Sequence, residues 1–339
     1  MLKFKKMMSM VSVMLCLCLV SICVPACSGS KDVISIPMAD SFNTWLATYA
    51  IINNIVTSKE VKLDIILGND HDMQMRSGKY PMGVMNAHGF ALAVQRDNLD
   101  VVAVSSVIVH EGAKKLEGVN FVMTRAESTI NSPTDFVGKK IGLPDPPAAA
   151  SNICFLALLQ ENFNISVDDL ASLSYFPETI LVESIKNGTL DAALIGKNVG
   201  PKVRRDPALK EIWNVDKAFV SQFGNSFIAS LLVVKSDFYT QNPKKVQAVY
   251  ELLLESAAYG AEHFDELAPL YAAEKGESVD FFKMIYEEHS SFRLSEIENN
   301  VYDSVMGLFG LMVARGVDGG GIASMPDPSV VFKKAIVLD

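Results

Sequence analysis

Small and polar side chains follow several of the predicted strands, where they are placed for ligand binding. The clearest case is the stretch Gly138–Cys154, which predicts a short strand (140–143), a rigid proline loop (144–147) and the first turn of a helix. Proline suits the first helical position, and Asp145 lies where an N-cap residue would. Such a turn directs backbone N–H groups at open space, where small molecules bind in open α/β sheets. An ordinary connection between a strand and a helix is the alternative interpretation.

Two further strand ends are related by an internal similarity. Residues 76–86 align with residues 186–196, because in each segment a helix ends at a glycine and a short loop leads into a buried strand. The similarity suggests two lobes of similar build whose strand ends face each other. The polar residues at these ends are Asn86, His88, Lys197 and Asn198. An asparagine offers donors and an acceptor, and a lysine suits a carboxylate, sulfonate or phosphate. A structural histidine and a solvated lysine are the alternatives.

Ser105 and Ser106 interrupt the apolar predicted strand Val101–Val109. Buried hydroxyls need hydrogen-bond partners, which are either backbone groups or a ligand. Both serines are therefore candidate ligand contacts.

Sequence motifs for catalysis or metal binding are missing. The five histidines show no HExxH spacing, and neither a G-x-S-x-G elbow nor a P-loop occurs. Residues 69–72 form a small NDHD cluster, which we interpret as a solvated polar loop. We predict no catalytic residue, no metal site and no cofactor, so the protein is not expected to be an enzyme.

The composition is that of a large globular protein. The chain has 339 residues, of which 49% are hydrophobic and 20% charged, and its formal net charge is −9. Nucleic-acid binding needs a basic surface that neutralises phosphates, so no nucleic-acid partner is expected.

The N-terminus predicts export. Lys3, Lys5 and Lys6 precede an apolar run (7–24), which is the layout of a secretory signal peptide, although an uncleaved membrane anchor is the alternative. Four of the five cysteines lie in or at the end of this leader, and Cys154 alone lies in the body, so no internal disulfide is expected there. Residues 24–27 (VPAC) resemble a bacterial lipobox, which predicts residues 1–27 as a signal peptide ending at a lipidated Cys27.

The elements that must position these residues alternate between strand and helix. Strands are predicted at 32–37, 61–67, 82–85, 101–109, 120–124, 140–143, 173–176, 192–195 and 225–235. Helices are predicted at 43–56, 87–95, 178–186 and from Pro243 to about Phe264, with further amphipathic helices between Asp265 and Arg315. The alternation predicts an α/β fold with largely parallel sheets.

Several segments together resemble a known family. They are FVGKKIG (136–142), NGTLDAALIG (187–196), LVVKSDF (232–238) and Asn242-Pro243 at the start of a long helix. In this order, after a lipoprotein leader, they are similar to the periplasmic solute-binding proteins of ABC importers. The branch is that for nitrate, sulfonates, taurine and thiamine-pyrimidine precursors, and the resemblance covers about Val33 to Arg315.

The resemblance implies a two-lobe periplasmic binding protein fold, type II-like, in which each lobe is a mixed sheet flanked by helices. Lobe one would comprise residues 28–121 plus 227–339, and lobe two residues 122–226. Hinge crossovers near 121–125 and 224–227 would let the lobes close on a ligand.

The resemblance also implies ligand contacts. Family members commonly contact ligand after the first strand, here at Asp40, Ser41 and Phe42, although Asp40 or Ser41 also suits a plain helix N-cap. Asn225 lies at the second crossing. The DPPAAAS loop becomes a cleft wall formed by Pro146, Ala148, Ser151 and Asn152. An N-cap at Asp145 would occupy the free amides there, which favours a bulkier, partly apolar solute over a small hard anion such as nitrate.

The predicted function is that of an extracytoplasmic, lipid-anchored substrate-binding protein that captures a small organic solute between its lobes. Its partners would be the small-molecule ligand, an ABC permease with its ATPase, and the membrane through the lipid anchor. It would lie at the cell membrane, facing the extracellular or periplasmic side. The alternatives are a ligand-sensing lipoprotein without transport and a biosynthetic enzyme on the same fold, of the thiamine-pyrimidine or menaquinone-precursor type.

Overall fold

The computed structural model describes residues 32–111, 118–145, 147, 149–196 and 199–335. The chain from Val33 onward forms one compact unit. The predicted signal peptide and several predicted site residues lie outside the described residues: Cys27, Pro146, Ala148, Lys197 and Asn198.

The helices and strands follow one another in three groups. The first group is β1 (Asp32–Met38), α1 (Phe42–Ile52), β2 (Val61–Leu67), α2 (His71–Arg76), β3 (Met82–Asn86), α3 (Ala87–Gln95) and β4 (Val101–Val109). The second is β5 (Phe121–Arg125), β6 (Lys140–Pro144), α4 (Ala150–Phe163), β7 (Ser172–Phe176), α5 (Glu178–Lys186), β8 (Ala192–Ile195), α6 (Gly200–Val203), β9 (Leu209–Asn214) and α7 (Val215–Phe223). The third is β10 (Ile228–Lys235), α8 (Ser236–Gln241), α9 (Pro243–Glu262), α10 (Phe264–Lys275), α11 (Val279–Met284), β11 (Ser291–Ser295), α12 (Asn299–Arg315) and α13 (Pro328–Val331).

The first and third groups build one lobe around a four-stranded sheet in the order β11-β4-β10-β3, and β1 pairs with β2 beside it. All nine residues of β4 are buried, as suits a β-branched run covered on both faces. The expectation of a largely parallel sheet is wrong here. Strand β10 arrives from the distal part of the chain, lies between β3 and β4, and runs antiparallel to both.

The second group builds the other lobe around a five-stranded sheet in the order β7-β6-β8-β5-β9. Strand β6 runs parallel to β7 and β8, whereas β5 runs antiparallel to β8 and β9. The five-stranded sheet is therefore mixed. In the four-stranded sheet β11 also runs antiparallel to β4, so all of its pairings are antiparallel and the prediction of a mixed sheet in each lobe is wrong for this lobe. The predicted fold class of an α/β protein with two sheet-containing lobes is confirmed.

The two lobes share an apolar core on one side of the molecule. Helix α12 packs against α4 and α7 of the five-stranded lobe and also against α3 of the other lobe. Phe90, Phe155 and Phe309 belong to the same buried cluster, although they come from α3, α4 and α12. Within the described residues, no helix has both the length and the apolar character needed to cross a membrane.

Candidate functional site

A cavity of about 230 Å³ lies where the ends of strands from both sheets meet. Its described lining comes from the ends of β1, β3, β4 and β8, from the starts of α4 and α5, and from β10 with the residues before it. These residues are Ala39, Ser41, Asn86, His88, Ile108, His110, Val119, Asn120, Ala149, Ala150, Ser151, Glu178, Gly196, Phe227, Ala229 and Ser230. Because both lobes contribute, the cavity is an interlobe cleft, and both chain crossings pass beside it.

The structure brings four of the predicted site residues together in this cleft: Ser41, Asn86, His88 and Ser151. The two similar segments found in the sequence also meet there, since the first ends at Asn86 and the second at Gly196. Ser41 has both roles that the sequence suggested. It lines the cleft and also caps α1, because its hydroxyl accepts a hydrogen bond from the Thr44 N–H at 3.4 Å.

Other predicted residues lie away from the cleft lining. Asp40 is about a third exposed, and its carboxylate lies 3.4 Å from the Lys275 ammonium group. Phe42 is buried among aromatic rings, with its ring centre 4.9 Å from that of Phe282. Asn152 is fully buried, and its side-chain amide donates to the Pro144 carbonyl at 2.7 Å, which fastens the proline loop to α4.

Ser105 and Ser106 use backbone partners rather than the cleft. The Ser105 hydroxyl donates to the Ser295 carbonyl at 3.0 Å, and the Ser106 hydroxyl donates to the Arg293 carbonyl at 2.9 Å. These bonds join β4 to β11. Ser106 and Asn225 also line a separate cavity of about 510 Å³ next to Glu111 and Arg293.

Asp72, in α2, forms hydrogen bonds with Asn86. The Asp72 carboxylate accepts the backbone N–H of Asn86 at 2.8 Å and its side-chain amide at 2.9 Å. The interpretation of residues 69–72 as a solvated loop holds for Asn69 and Asp70, which are exposed turn residues, and is wrong for His71 and Asp72. His71 is buried and Asp72 is mostly covered, because α2 packs against β3 and brings the acid to the cleft wall.

Asn120 is held in the same manner by Asp216, in the first turn of α7. The buried Asp216 carboxylate accepts the backbone N–H of Asn120 at 3.1 Å, its side-chain amide at 2.9 Å, and the Val119 N–H at 2.8 Å. His110 Nδ1 lies 3.3 Å from the same carboxylate. Burial raises the pKa of Asp216, but His110 and the hydrogen bonds from His110 and Asn120 outweigh it, so the pKa lies below its usual value.

His88 lies in α3 beside this wall. Its Nδ1 atom is buried and accepts or donates no hydrogen bond among the described residues. Burial lowers the pKa of His88, and the nearby Asp72 carboxylate opposes that shift only in part. His88 is therefore a neutral imidazole at neutral pH, with a ring nitrogen whose hydrogen-bonding capacity is unused.

The start of α4 forms the opposite wall and differs from expectation. Asp145 is not the N-cap, because the helix begins at Ala150 with Ala149 as the N-cap residue and no side-chain cap. Asp145 is exposed, and its N–H donates to the Phe176 carbonyl at 3.1 Å. The N–H groups of Asn152 and Ile153 both donate to the Ala149 carbonyl, at 3.0 and 3.1 Å, which leaves those of Ala150 and Ser151 as the first-turn donors that face the cleft end of α4.

Glu178, in the first turn of α5, contributes a carboxylate to the cleft. A Cβ atom added to Gly196 would lie 2.5 Å from Glu178 Oε1 and 3.8 Å from Asn120 Oδ1, so glycine leaves room for both oxygens. The described lining contains this carboxylate but no lysine or arginine. Nor does the described part of the chain contain a cluster of three or more acidic, histidine or cysteine side chains suited to a metal ion.

The lobes also touch through charged side chains near α6. Lys202 Nζ lies 2.7 Å from Glu277 Oε1, and Arg205 lies 3.1 Å from the Glu288 carboxylate. Lys202 also lies 4.7 Å from the centre of the Phe281 ring. Glu277 and Phe281 follow α10, which packs on α1 in the lobe of the four-stranded sheet. These contacts therefore cross from one lobe to the other.

Four polar residues of the cleft were not predicted from the sequence: His110, Asn120, Glu178 and Ser230. His110 directly follows the predicted strand 101–109 and Asn120 begins the predicted strand 120–124, so their position at strand ends was the available signal. Glu178 follows Pro177 at a helix start, which is a weak signal that does point to an element terminus. Ser230 lies inside β10, where a single hydroxyl in an apolar run was the available signal.

Residues 57–267, more than half of the chain, match the family model described as NMT1/THI5 like. The chain belongs to the NMT1/THI5-like family. A comparison with curated protein sequences finds no match.

Solved structures share the fold of this NMT1/THI5-like protein at low sequence identity. The periplasmic aliphatic sulphonate binding protein SsuA from Escherichia coli superposes with a TM-score of 0.70 at 11% identity, covering 91% of this chain and 94% of that one. The alkanesulfonate-binding protein SsuA from Xanthomonas axonopodis pv. citri, bound to MOPS, gives 0.61 at 12% identity, covering 84% and 93%. A Candida albicans protein described as having the generic periplasmic binding protein fold gives 0.58 at 10% identity, covering 85% and 93%. The resemblance predicted from the sequence is confirmed at the level of family and fold.

Proposed function

We propose that this NMT1/THI5-like protein is the extracytoplasmic substrate-binding lipoprotein of an ABC importer. It captures a small organic solute in the interlobe cleft and delivers it to a permease that works with an ATPase. The observation that carries the proposal is the cleft, where polar groups at the strand ends of both lobes converge beside both chain crossings. The shared fold with proteins described as sulfonate-binding supports a binding role.

The residues proposed to contact the solute are those that the cleft brings together. Ser41, Asn86, His88 and Ser151 remain candidates from the sequence, and His110, Asn120, Glu178 and Ser230 join them. Lys197 and Asn198 directly follow Gly196 of the cleft in the chain and stay candidates on that ground. In this proposal residues 28–121 plus 227–339 move against residues 122–226 as the cleft closes.

The solute is proposed to carry both hydrogen-bond donors and acceptors. The backbone N–H groups of Ala150 and Ser151 at the start of α4 would receive an acceptor group of the solute, while the Glu178 carboxylate would receive a donor. A small hard anion such as nitrate is disfavoured because apolar residues, among them Ile108, Phe227 and Ala229, line the cleft beside its polar groups and suit a bulkier, partly apolar solute. This reason replaces the Asp145 cap that the sequence suggested.

Native mass spectrometry of the full-length protein, purified from its host in detergent without refolding, tests solute capture. A small molecule should co-purify with the wild type and be lost with E178A, while E183A, a substitution on the exposed face of the same helix, should retain it. Equal retention by both variants would contradict the proposed site.

Delivery and anchoring need tests in cells. Deletion of the gene should abolish uptake of the captured solute, and C27S should move the protein from the membrane fraction to the soluble fraction. Normal uptake in the deletion strain, with solute binding intact, would favour the ligand-sensing alternative instead.

A further inference from the structure

Asp72 and Asp216 fix which end of an asparagine side chain faces the cleft. A carboxylate accepts hydrogen bonds and donates none, so the group that Asn86 or Asn120 turns toward it must be the NH₂ group. Each asparagine also donates its backbone N–H to the same carboxylate, so the contact is bidentate. A flipped side-chain amide would place its oxygen against the carboxylate, and the observed orientation is therefore fixed. The side-chain oxygen of each asparagine is then left facing the other way.

Those oxygens lie on the cleft side. Asn86 Oδ1 accepts a hydrogen bond of 3.3 Å from the hydroxyl of Ser230, which lines the cleft, and its second lone pair is left for a donor of the solute. Asn120 Oδ1 lies beside Gly196, on the cleft wall, where Glu178 Oε1 also points. The described cleft wall thus presents two asparagine oxygens, one at the end of β3 and one at the crossing between the lobes, and the Glu178 carboxylate lies beside the second.

We propose that Asp72 and Asp216 are positioning residues that turn the oxygens of Asn86 and Asn120 into the cleft, so that the cleft selects a solute bearing N–H donors, such as an amine, an amidine or an amino-substituted heterocycle. This inference rests on the proposed function, because it names the class of solute for the same cleft. Sulfonates offer only acceptor oxygens to these groups and are selected against.

The chemistry of asparagine and aspartate provides a sharp perturbation. In D72N, the oxygen of the new side-chain amide still accepts the Asn86 backbone N–H, but the NH₂ group of that amide now needs an acceptor. Asn86 meets that need by turning its own oxygen toward position 72, which places its NH₂ group in the cleft. The number of hydrogen bonds between positions 72 and 86 is unchanged, but Asn86 now presents a donor group to the cleft instead of an acceptor.

The double variant D72N/N86D restores the original polarity. The amide at position 72 then donates to the carboxylate at position 86 and accepts the backbone N–H of the same residue, and the second oxygen of that carboxylate faces the cleft. D70N is the matched control, since Asp70 lies two residues away and binds the Gln74 side chain rather than the cleft wall. It makes the same change of charge without touching Asn86.

The experiment is isothermal titration of the full-length protein in detergent micelles with two kinds of probe. Acetamidine and 4-aminopyrimidine carry N–H donors, whereas ethanesulfonate and nitrate carry acceptors only. Wild type and D70N should bind the donor probes more tightly than the acceptor probes. D72N should weaken the binding of the donor probes roughly 10- to 100-fold, because it places an N–H donor of Asn86 against the N–H donor of the probe. It should leave the affinity for the acceptor probes unchanged or higher. D72N/N86D should restore the affinity for the donor probes.

Three results would overturn the inference. One is tighter binding of ethanesulfonate or nitrate than of both donor probes by the wild type. Another is equal weakening of both probe types by D72N with no recovery in D72N/N86D, which is what a purely structural role of Asp72 produces. The third is no binding of either donor probe. In each case the proposed function still stands on solute capture and uptake, which are measured separately.

The pair D216N and D216N/N120D repeats the test at the second asparagine and decides the matter if D72N does not fold. The expected order of probe affinities is the same. Because Asp216 also holds the Val119 N–H, thermal denaturation of each variant accompanies the titration and identifies any loss of folded protein.

Discussion

Removal of the Lys202 side chain tests whether ion pairs between the lobes hold the cleft closed. Lys202 lies on α6 of the five-stranded lobe, and its partners Glu277 and Phe281 belong to the other lobe. If the lobes separate when the cleft opens, these contacts exist only in the closed state. K202A then destabilises that state relative to the open one, and a solute that binds the closed state binds more weakly.

The size of the effect follows from the exposure of the pair. The side chains of Lys202 and Glu277 are 55% and 36% exposed, so solvent screens their attraction and the ion pair is worth about 0.2–1 kcal/mol. The contact of Lys202 with the face of Phe281 adds roughly 0.5–1 kcal/mol at an exposed site. A total near 1 kcal/mol corresponds to an increase in Kd of about fivefold.

The assay is titration with the co-purified solute at low and at high salt. K202A should raise Kd about fivefold at low ionic strength and less in 1 M salt, where the Debye length is only about 3 Å. K186A is the matched control, because Lys186 forms an ion pair of the same 2.7 Å length with Asp206 inside one lobe. The charge swap K202E/E277K should recover most of the affinity that K202E loses.

Two outcomes would refute this reasoning. An unchanged Kd in K202A would mean that the Lys202 contacts do not differ between the open and closed states. An equal rise in K186A would mean that loss of any lysine charge weakens binding, regardless of whether its partner lies across the lobe interface.

Three further predictions concern stability and reactivity. Burial lowers the pKa of the fully buried His289 to about 4, so the unfolded chain binds a proton more readily than the folded protein. The free energy of unfolding should therefore fall by roughly 3 kcal/mol as the pH drops from about 6.5 to 4. The H289L variant should show a smaller dependence on pH in urea titrations. G260A should destabilise the fold by about 1–3 kcal/mol in urea unfolding, because its Cβ would lie 2.2 Å from the Leu46 carbonyl oxygen, whereas G310A meets no atom within 4 Å and should be neutral or stabilising. The buried Cys154, whose thiol pKa burial raises, should resist maleimide reagents in the native protein and react once urea unfolds it.

The strand and helix alternation was predictable because local sequence carries it. Runs rich in β-branched residues mark β2 and β4, the apolar run of β8 ends at Gly196, and the predicted end of the helix from Pro243 lies within two residues of the observed one. The sheet order was not predictable in the same way, since it depends on where β10 inserts. Strand β11 was also not predicted: its buried residues Ser291 and Leu294 are three positions apart, which is not the period of two expected of a strand, and the segment lies between segments of helical pattern.

The candidate site was predictable where a side chain follows a strand. Ser41, Asn86 and Ser151 follow β1, β3 and β6 in the chain, and all line the cleft. The rule fails for Phe42, one residue after Ser41, because the first turn of α1 directs its ring into the aromatic cluster with Phe282. A one-residue difference at a helix start changes direction by about 100°, which spacing along the chain does not reveal.

The contact between Asp72 and Asn86 was not predicted, although one feature of the sequence points to it. This contact spans 14 residues and depends on how α2 packs on β3, which no local pattern states. Gly89, however, lies in the first turn of α3, where glycine has no helical advantage. A Cβ there would lie 2.6 Å from Asp72 Oδ2, so the glycine exists at a point where a carboxylate approaches the helix start. A glycine just after a strand-end asparagine, with an acid on the preceding helix, is therefore a pattern that predicts this arrangement in related chains.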